Sequence, residues 1–235
     1  ENEDALERAV RESHHLRLDG LFDQFSSRHL SFVEAKAVAK AIRFTATDTR
    51  LPLEEREGAL LLALVALMNK SPERVSQIRR TDEGGTDSIG SLGEFLAESP
   101  AKSLWSPAQH GSTRSEPQYR FRLQLPVDIR GEIVGRPFGS LFGDPQRAIK
   151  AAHSISKRLR RTVARRFSID RWRSMLALSV FSRTQDLRVA QIICSERLGL
   201  SAAPLNYFSI LIERLQECYR ESTGDWWGAI ALQDP

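Results

Sequence analysis

Two side chains in the last third of the sequence, Arg173 and Tyr207, could together act on a phosphodiester. Arg173 ends the run Ser-Ile-Asp-Arg-Trp-Arg at 168–173, and Tyr207 lies in Ala-Pro-Leu-Asn-Tyr-Phe-Ser at 203–209. A guanidinium grips phosphate oxygens through a planar fork of N–H donors, and a phenol oxygen can attack phosphorus as a nucleophile. An acid, Asp170, lies where a neutral or cationic group would suit an anionic substrate better.

The positive charge of the chain is concentrated around Arg173. The chain has a formal net charge of +4, and between residues 157 and 173 it has eight cations against one acid. Those cations are Lys157, Arg158, Arg160, Arg161, Arg165, Arg166, Arg171 and Arg173. Such a concentration is typical of a surface for a polyanion, most often nucleic acid. A solvated helix face is the alternative, although such a face usually mixes both signs of charge, as residues 54–57 do.

The bulk composition excludes a membrane-spanning protein and predicts an ordinary globular one. Of the 235 residues, 41% are hydrophobic and 27% charged, which allows a sizeable core. The longest apolar run, residues 59–68, is about half of what a membrane span needs. Residues 1–20 lack the apolar segment of a signal peptide. Because the sequence begins with Glu1 rather than Met, we expect it to be a fragment that lacks an upstream domain or targeting segment.

The two cysteines, Cys194 and Cys218, do not form a metal-binding pattern. They are too far apart for a CxxC motif, and no histidine cluster lies near either of them. Both fall in apolar helical patterns, so we expect buried thiols in a reduced, cytoplasmic protein. No metal or other cofactor is expected.

The hydrophobic periodicity predicts a mainly α-helical domain with a small antiparallel β-sheet near 85–125, an α+β fold. An N-terminal arm or linker is expected over 1–29, the domain over 30–221 and a C-terminal tail over 222–235. Helices are predicted over 32–42, from Pro52 to Met68, from Ser71, over 128–134, from Asp144-Pro145 to about 166, from Ser168 or Asp170 through Phe181, over 186–198 and over 208–221. The best strand is 119–125, which alternates apolar and polar residues, and 45–50 is predicted to be a loop.

Several helix starts carry recognisable caps. Ser31 with Glu34 three residues later is a capping-box pattern. Ser71 precedes Pro72, and Asp144 precedes a proline in the same way, so both are predicted N-caps.

The order of these parts resembles the catalytic domain of tyrosine recombinases, the phage integrase family, over about residues 30–221. The matching segments are Leu30-Ser-Phe-Val-Glu-Ala-Lys, the stretch 63–79, Leu125-Pro126, Asp170-Arg-Trp-Arg173 and Ala203-Pro-Leu-Asn-Tyr207. The resemblance implies cleavage of one DNA strand by a tyrosine oxygen to give a 3′-phosphotyrosine, without metal or cofactor. It also implies two cationic clamps on the phosphate, an acid for the leaving oxygen and a histidine that assists proton transfer.

The resemblance assigns roles to individual residues. Tyr207 matches the nucleophile and Arg173 the second clamp. Lys70 occupies the first clamp position, where it keeps the charge but not the planar fork, and Arg74 is an alternative there. Glu73 matches the acid that holds this first box.

Other positions depart from the family pattern. Asp170 replaces the histidine, and it could pair with Arg171 or Arg173 or act only as a helix N-cap. The sheet lysine could be Lys102, with Arg114 as a stand-in. Leu198 stands where the family often has a histidine, and none of His14, His15, His29, His110 and His153 falls at a family box.

The resulting hypothesis is a DNA-binding recombinase or integrase of a mobile element, in the bacterial cytoplasm and associated with the nucleoid. Double-stranded DNA is the expected partner, together with copies of the chain or other recombinase subunits, and no membrane is expected. The DNA contacts are predicted to be Arg74, Lys157, Arg160, Arg161, Arg165, Arg166 and Arg171.

Two alternatives remain open at this point. One is an inactive relative that acts as a DNA-binding or assembly partner. In that case residues 208–221 and the Trp226-Trp227 tail could dock on a neighbouring protomer, or the tail could fold back on its own domain. The other is an unrelated helical regulator with a helix-turn-helix over 182–203.

Overall fold

The computed structural model describes residues 30–82, 88–98, 120–194 and 212–228. Its helices are α1 (Phe32–Thr47), α2 (Leu53–Met68), α3 (Pro72–Ser76), α4 (Val127–Val134), α5 (Pro145–Thr162), α6 (Ile169–Arg173), α7 (Met175–Thr184), α8 (Leu187–Cys194) and α9 (Ile212–Trp226). Its strands are β1 (Arg79–Arg80), β2 (Ser88–Ile89), β3 (Glu94–Glu98), β4 (Arg120–Gln124) and β5 (Gly139–Ser140). The predicted arm over 1–29 lies outside the described residues.

Helix α2 is the centre of the molecule. Every residue from Gly58 to Met68 is buried, as its continuous apolar sequence predicts. Helices α1, α5, α6 and α7 pack around it. The crossing with α5 is close because Gly58 has no side chain, and a Cβ placed there would lie 2.6 Å from the Cβ of Ala151.

The predicted helix caps are confirmed. The Ser31 backbone N–H donates to the Glu34 carboxylate at 3.0 Å, and the Glu34 N–H donates to the Ser31 hydroxyl at 3.2 Å. Helix α1 nevertheless extends through Thr47, so the loop predicted from residue 45 was placed too early. Local hydrogen bonds explain the extension, because the Thr45 and Thr47 hydroxyls donate to helix carbonyls four residues earlier.

The sheet is mixed, so the prediction of an antiparallel sheet was wrong in one pair of strands. The strand order is β4-β3-β2-β1-β5, in which β1 and β2 pair in parallel and every other pair is antiparallel. Alternation of residue types identifies a strand such as β4, where Phe121 and Leu123 are buried and Arg122 and Gln124 exposed. It carries no information about the direction of the neighbouring strand.

The two tryptophans at the end of α9 belong to the core. Trp226 and Trp227 are 1% and 3% exposed, and their rings lie 5.2 Å and 6.3 Å from the ring of Trp172. The Arg43 guanidinium donates to the Trp227 carbonyl at 2.7 Å. The prediction that they fold back on their own domain is therefore confirmed, and docking of this pair on a neighbouring protomer is wrong because the rings are already covered.

Both cysteines, Cys194 and Cys218, are buried as predicted, and neither forms a disulfide. Burial raises the pKa of the Cys218 thiol. Among the described residues, no helix combines the length and the apolar character needed to cross a bilayer.

Candidate nucleic-acid interface

Helix α5 holds a row of cations away from the core. The Asp144 carboxylate caps it by accepting from the backbone N–H groups of Gln146 and Arg147 at 2.9 and 3.1 Å, and Pro145 occupies the first turn. One stripe of the helix is buried: Ala148, Ala152, Ile155 and Leu159. Because this stripe packs toward α2, the opposite face points to solvent.

Every charged side chain on the solvent-facing side of α5 is basic. The helix contains no Asp or Glu, and it exposes Lys150, Lys157, Arg160 and Arg161. Arg160 and Arg161 lie in the last turn of the helix, where cations also interact favourably with the helix dipole. Dipole stabilisation accounts for the last-turn arginines alone, so the earlier lysines need another reason.

The cations continue beyond the end of α5. Ala164 and Phe167 are buried, and between them Arg165 and Arg166 are exposed. We call Lys150, Lys157, Arg160, Arg161, Arg165 and Arg166 the basic surface. Within the described residues, none of these six side chains forms a salt bridge. By contrast Arg147 and Arg158, on the α2 side of α5, pair with Glu54 and Glu55 at 3.7 and 3.1 Å.

Helix α6 is short, but one buried side chain fixes its position. Ser168 caps it by accepting from the Arg171 N–H. Trp172 is 0% exposed, and its indole N–H donates to the Leu62 carbonyl of α2 at 2.8 Å. The anchored indole holds the two flanking arginines half-buried beside the basic surface. The Arg171 guanidinium donates to the Arg166 carbonyl at 2.7 Å.

Charges from α5 and α6 act on Glu73. The Glu73 side chain is exposed at the start of α3. Hydrogen bonds from its own backbone N–H and from the Ser71 hydroxyl lower the pKa of its carboxyl group, and the charges of His153 on α5 and Arg173 on α6 lower it further. The charges of Glu73, His153 and Arg173 therefore form one cluster.

His153 is the member of this cluster that sequence reasoning missed. It is exposed on α5, four residues before Lys157 and seven before Arg160, so the three share one helix face. That spacing was the available signal. It was passed over because His153 matches no family box, while its place beside Glu73 depends on packing between α3 and α5.

Two other predicted residues have less expected surroundings. Lys70 is only 2% exposed, directly after Asn69, which ends α2 in the left-handed conformation with φ of 53°.

Asp170 is exposed in the first turn of α6, and Ser168 rather than Asp170 is the N-cap, so the N-cap hypothesis for Asp170 is wrong. Among the described residues Asp170 has no ion pair with Arg171 or Arg173. Arg74 is exposed next to Glu73.

Tyr207 and Lys102, as well as Arg114 and Leu198, lie outside the described residues. Tyr219 has no role as a surface nucleophile, because it is 1% exposed and its hydroxyl donates to the Leu67 carbonyl at 3.0 Å. Burial raises the pKa of its phenol far above the ordinary value.

No family model, curated protein or solved structure matches the chain. No group of three or more His, Cys, Asp or Glu side chains in the described part of the chain could hold a metal ion.

Proposed function

We propose that this chain binds duplex DNA through the basic surface and acts on DNA in the manner of tyrosine recombinases. The observation that carries the proposal is the row of six exposed cations, none of which forms a salt bridge within the described residues, along a helix without an acid and the connection that follows it. Cations left without carboxylate partners retain their full field for an external anion. From Lys150 to Arg161 the face is about 16 Å long, a length over which duplex DNA carries on the order of ten phosphate charges.

The strand-cleavage part of the proposal is supported by the resemblance and by the charge of Arg173, which helps to lower the pKa of the Glu73 carboxyl group after the hydrogen bonds from the Glu73 backbone N–H and Ser71. Arg173 binds the non-bridging oxygens of the scissile phosphate. The exposed Arg74 supplies the second positive charge in place of Lys70, which is buried. The Tyr207 oxygen gives its proton to a base, for which Asp170 at the histidine position is the proposed acceptor, and bonds to phosphorus. The bond to the 5′ oxygen breaks, and that oxygen takes up a proton, for which Lys102 is the proposed donor.

DNA binding is tested by fluorescence anisotropy with a labelled duplex at a series of salt concentrations. Neutralising Lys157, Arg160 and Arg161 together by K157Q, R160Q and R161Q removes three phosphate contacts. The slope of log affinity against log salt should therefore become shallower by about 2.7. Arg183→Gln is the matched control, because Arg183 is also at the surface but already forms an ion pair with Asp225. Equal slopes for the triple variant and the control would contradict the proposal.

Strand cleavage is tested with a pool of nicked duplexes from which a cleaved end cannot religate. A covalent protein–DNA adduct that persists in denaturing gels and disappears in Tyr207→Phe supports the nucleophile. Tyr219→Phe is the control, since its buried phenol cannot reach DNA. An adduct that survives Tyr207→Phe rejects this tyrosine.

An inactive DNA-binding relative is the second candidate function, and Asp170 favours it. This exposed carboxylate lies in the same helix as Arg173, without an ion pair in the described part of the chain. An ionised carboxylate near a phosphodiester repels it. Salt-dependent DNA binding without any adduct in the pool is the result expected for this candidate.

A further inference from the structure

We infer that His153 is a proton-controlled phosphate contact at the α3 end of the basic surface, so that protonation of this one imidazole strengthens DNA binding. The inference rests on the proposed DNA binding and deepens it. It adds to the permanent cations one contact whose charge depends on pH.

The position of His153 is the first support. Its side chain is exposed, on the face of α5 that also presents Lys150 and Lys157. These lysines are three residues before and four residues after it, which are the spacings of neighbours on a helix surface. Position 153 therefore lies between the two lysines along the helix, beside the path of a polyanion that contacts both.

The surroundings of His153 are the second support. From α3, which packs on α5, the exposed charged groups are Glu73 and Arg74. After the hydrogen bonds from the Glu73 backbone N–H and Ser71, the charges of His153 and of Arg173 on α6 lower the pKa of the Glu73 carboxyl group. The remaining acid of α6 is the exposed Asp170. Helix α2 also packs on α5, but its Glu54 and Glu55 pair with arginines on the other flank.

A phosphate bound beside the imidazole favours the imidazolium, in which both ring nitrogens are donors. The sign follows from linkage: the protonated form binds phosphate more tightly, so affinity rises as pH falls through the range in which histidine titrates.

The test compares three forms of the whole chain, wild type, His153→Gln and His153→Lys, by anisotropy with the same duplex. At about 0.1 M salt, one additional phosphate contact is worth roughly eightfold in affinity. Wild type should gain roughly this factor between about pH 8.5 and pH 5.5 over any gain seen in H153Q. H153K should bind as tightly at the higher pH as wild type does at the lower pH, because its charge is permanent.

Proton uptake gives an independent readout. Calorimetry of DNA binding in two buffers with different ionisation enthalpies should show protons taken up by wild type near neutral pH, and less uptake by H153Q. All three forms should have the same circular dichroism spectrum, since position 153 is exposed.

The outcomes separate the inference from the proposed function. If wild type and H153Q bind DNA with the same pH dependence and the same proton uptake, the inference is overturned and DNA binding stands. If no form binds duplex DNA at any pH at low salt, the proposed function itself fails, and the inference fails with it.

Discussion

Two groups of arginines among the described residues differ in what surrounds them. In the first, a carboxylate partner from another element is within reach: Arg43 with Asp128, Arg56 with Glu132, Arg136 with Glu57, and Arg183 with Glu221 and Asp225. In the second, the four arginines of the basic surface, no such partner is present among the described residues. The first group joins elements of the fold through ion pairs, and the second leaves its positive charge accessible to a ligand.

This difference is informative because both groups come from the same residue type in the same chain. Composition alone would count them together in a net charge of +4. Paired arginines contribute to the stability of the fold and little to the external field, whereas unpaired ones repel each other and make the field. The comparison predicts that stability and DNA affinity can be changed separately.

The largest effect on stability is expected for Arg136→Gln, in the paired group. Its guanidinium donates to the Glu57 carboxylate at 3.0 Å and to the Leu141 carbonyl at 2.9 Å, and the two charged side chains are 16% and 12% exposed. The variant leaves Glu57 nearly buried without its partner, which costs about 3 kcal/mol of unfolding free energy. Urea unfolding measures the loss, and DNA affinity under native conditions should stay that of wild type. If Arg136→Gln lowered DNA affinity and left the free energy of unfolding unchanged, Arg136 would belong with the DNA-binding arginines instead.

Tyr219→Phe tests an uncharged hydrogen bond in the core, between the Tyr219 hydroxyl and the Leu67 carbonyl. Removal of the hydroxyl leaves the Leu67 carbonyl unsatisfied in the core and should cost about 1–2 kcal/mol. Burial raises the pKa of this phenol, so its contribution is complete below the ordinary tyrosine pKa and declines as pH rises above it. Denaturant titrations at neutral and alkaline pH should show that wild type loses more stability than Y219F at high pH. An identical alkaline loss in both proteins would contradict this assignment.

Arg160→Gln is the single-site test of the unpaired arginines of the basic surface. One lost phosphate contact should weaken DNA binding roughly eightfold at about 0.1 M salt, or about 1.2 kcal/mol, and the salt slope should become shallower by about 0.9. The free energy of unfolding should fall by only about 0.3 kcal/mol, the contribution of a last-turn cation to the helix dipole, because this exposed side chain gives up no ion pair within the described residues. A clear loss of stability would show that Arg160 belongs with the paired arginines.

The smallest effect is expected for Arg183→Gln, which removes an exposed pair of bonds between α7 and α9. The guanidinium donates to Asp225 at 2.8 Å and to Glu221 at 3.3 Å, and hydrogen bonding to Asp225 raises its pKa. Because the side chain is 38% exposed, solvent screens the pair, and we expect a loss of about 0.5 kcal/mol. Thermal unfolding at low and high salt should show the difference shrinking as salt increases. A loss that salt leaves unchanged would indicate packing rather than charge.

Local patterns were sufficient for much of the fold. Ser31 with Glu34, Ser71 with Pro72 and Asp144 with its proline each cap a helix as predicted, because a cap depends on hydrogen bonds within four residues. The unbroken apolar run of α2 required burial on all sides, wherever the helix came to lie. The basic composition of α5 and of the connection that follows it was also evident from the sequence.

The sequence by itself therefore determined the helices, the one long alternating strand, the central apolar helix and the concentration of cations after residue 157. Tertiary structure alone decided which of those cations are paired, that β1 and β2 run in parallel, that Trp226 and Trp227 cover Trp172, and that the charges of His153 and Arg173 act on Glu73. The physical reason is distance along the chain. Capping and periodicity act between residues a few positions apart, whereas these contacts join segments separated by tens of residues, whose approach depends on how the whole core packs.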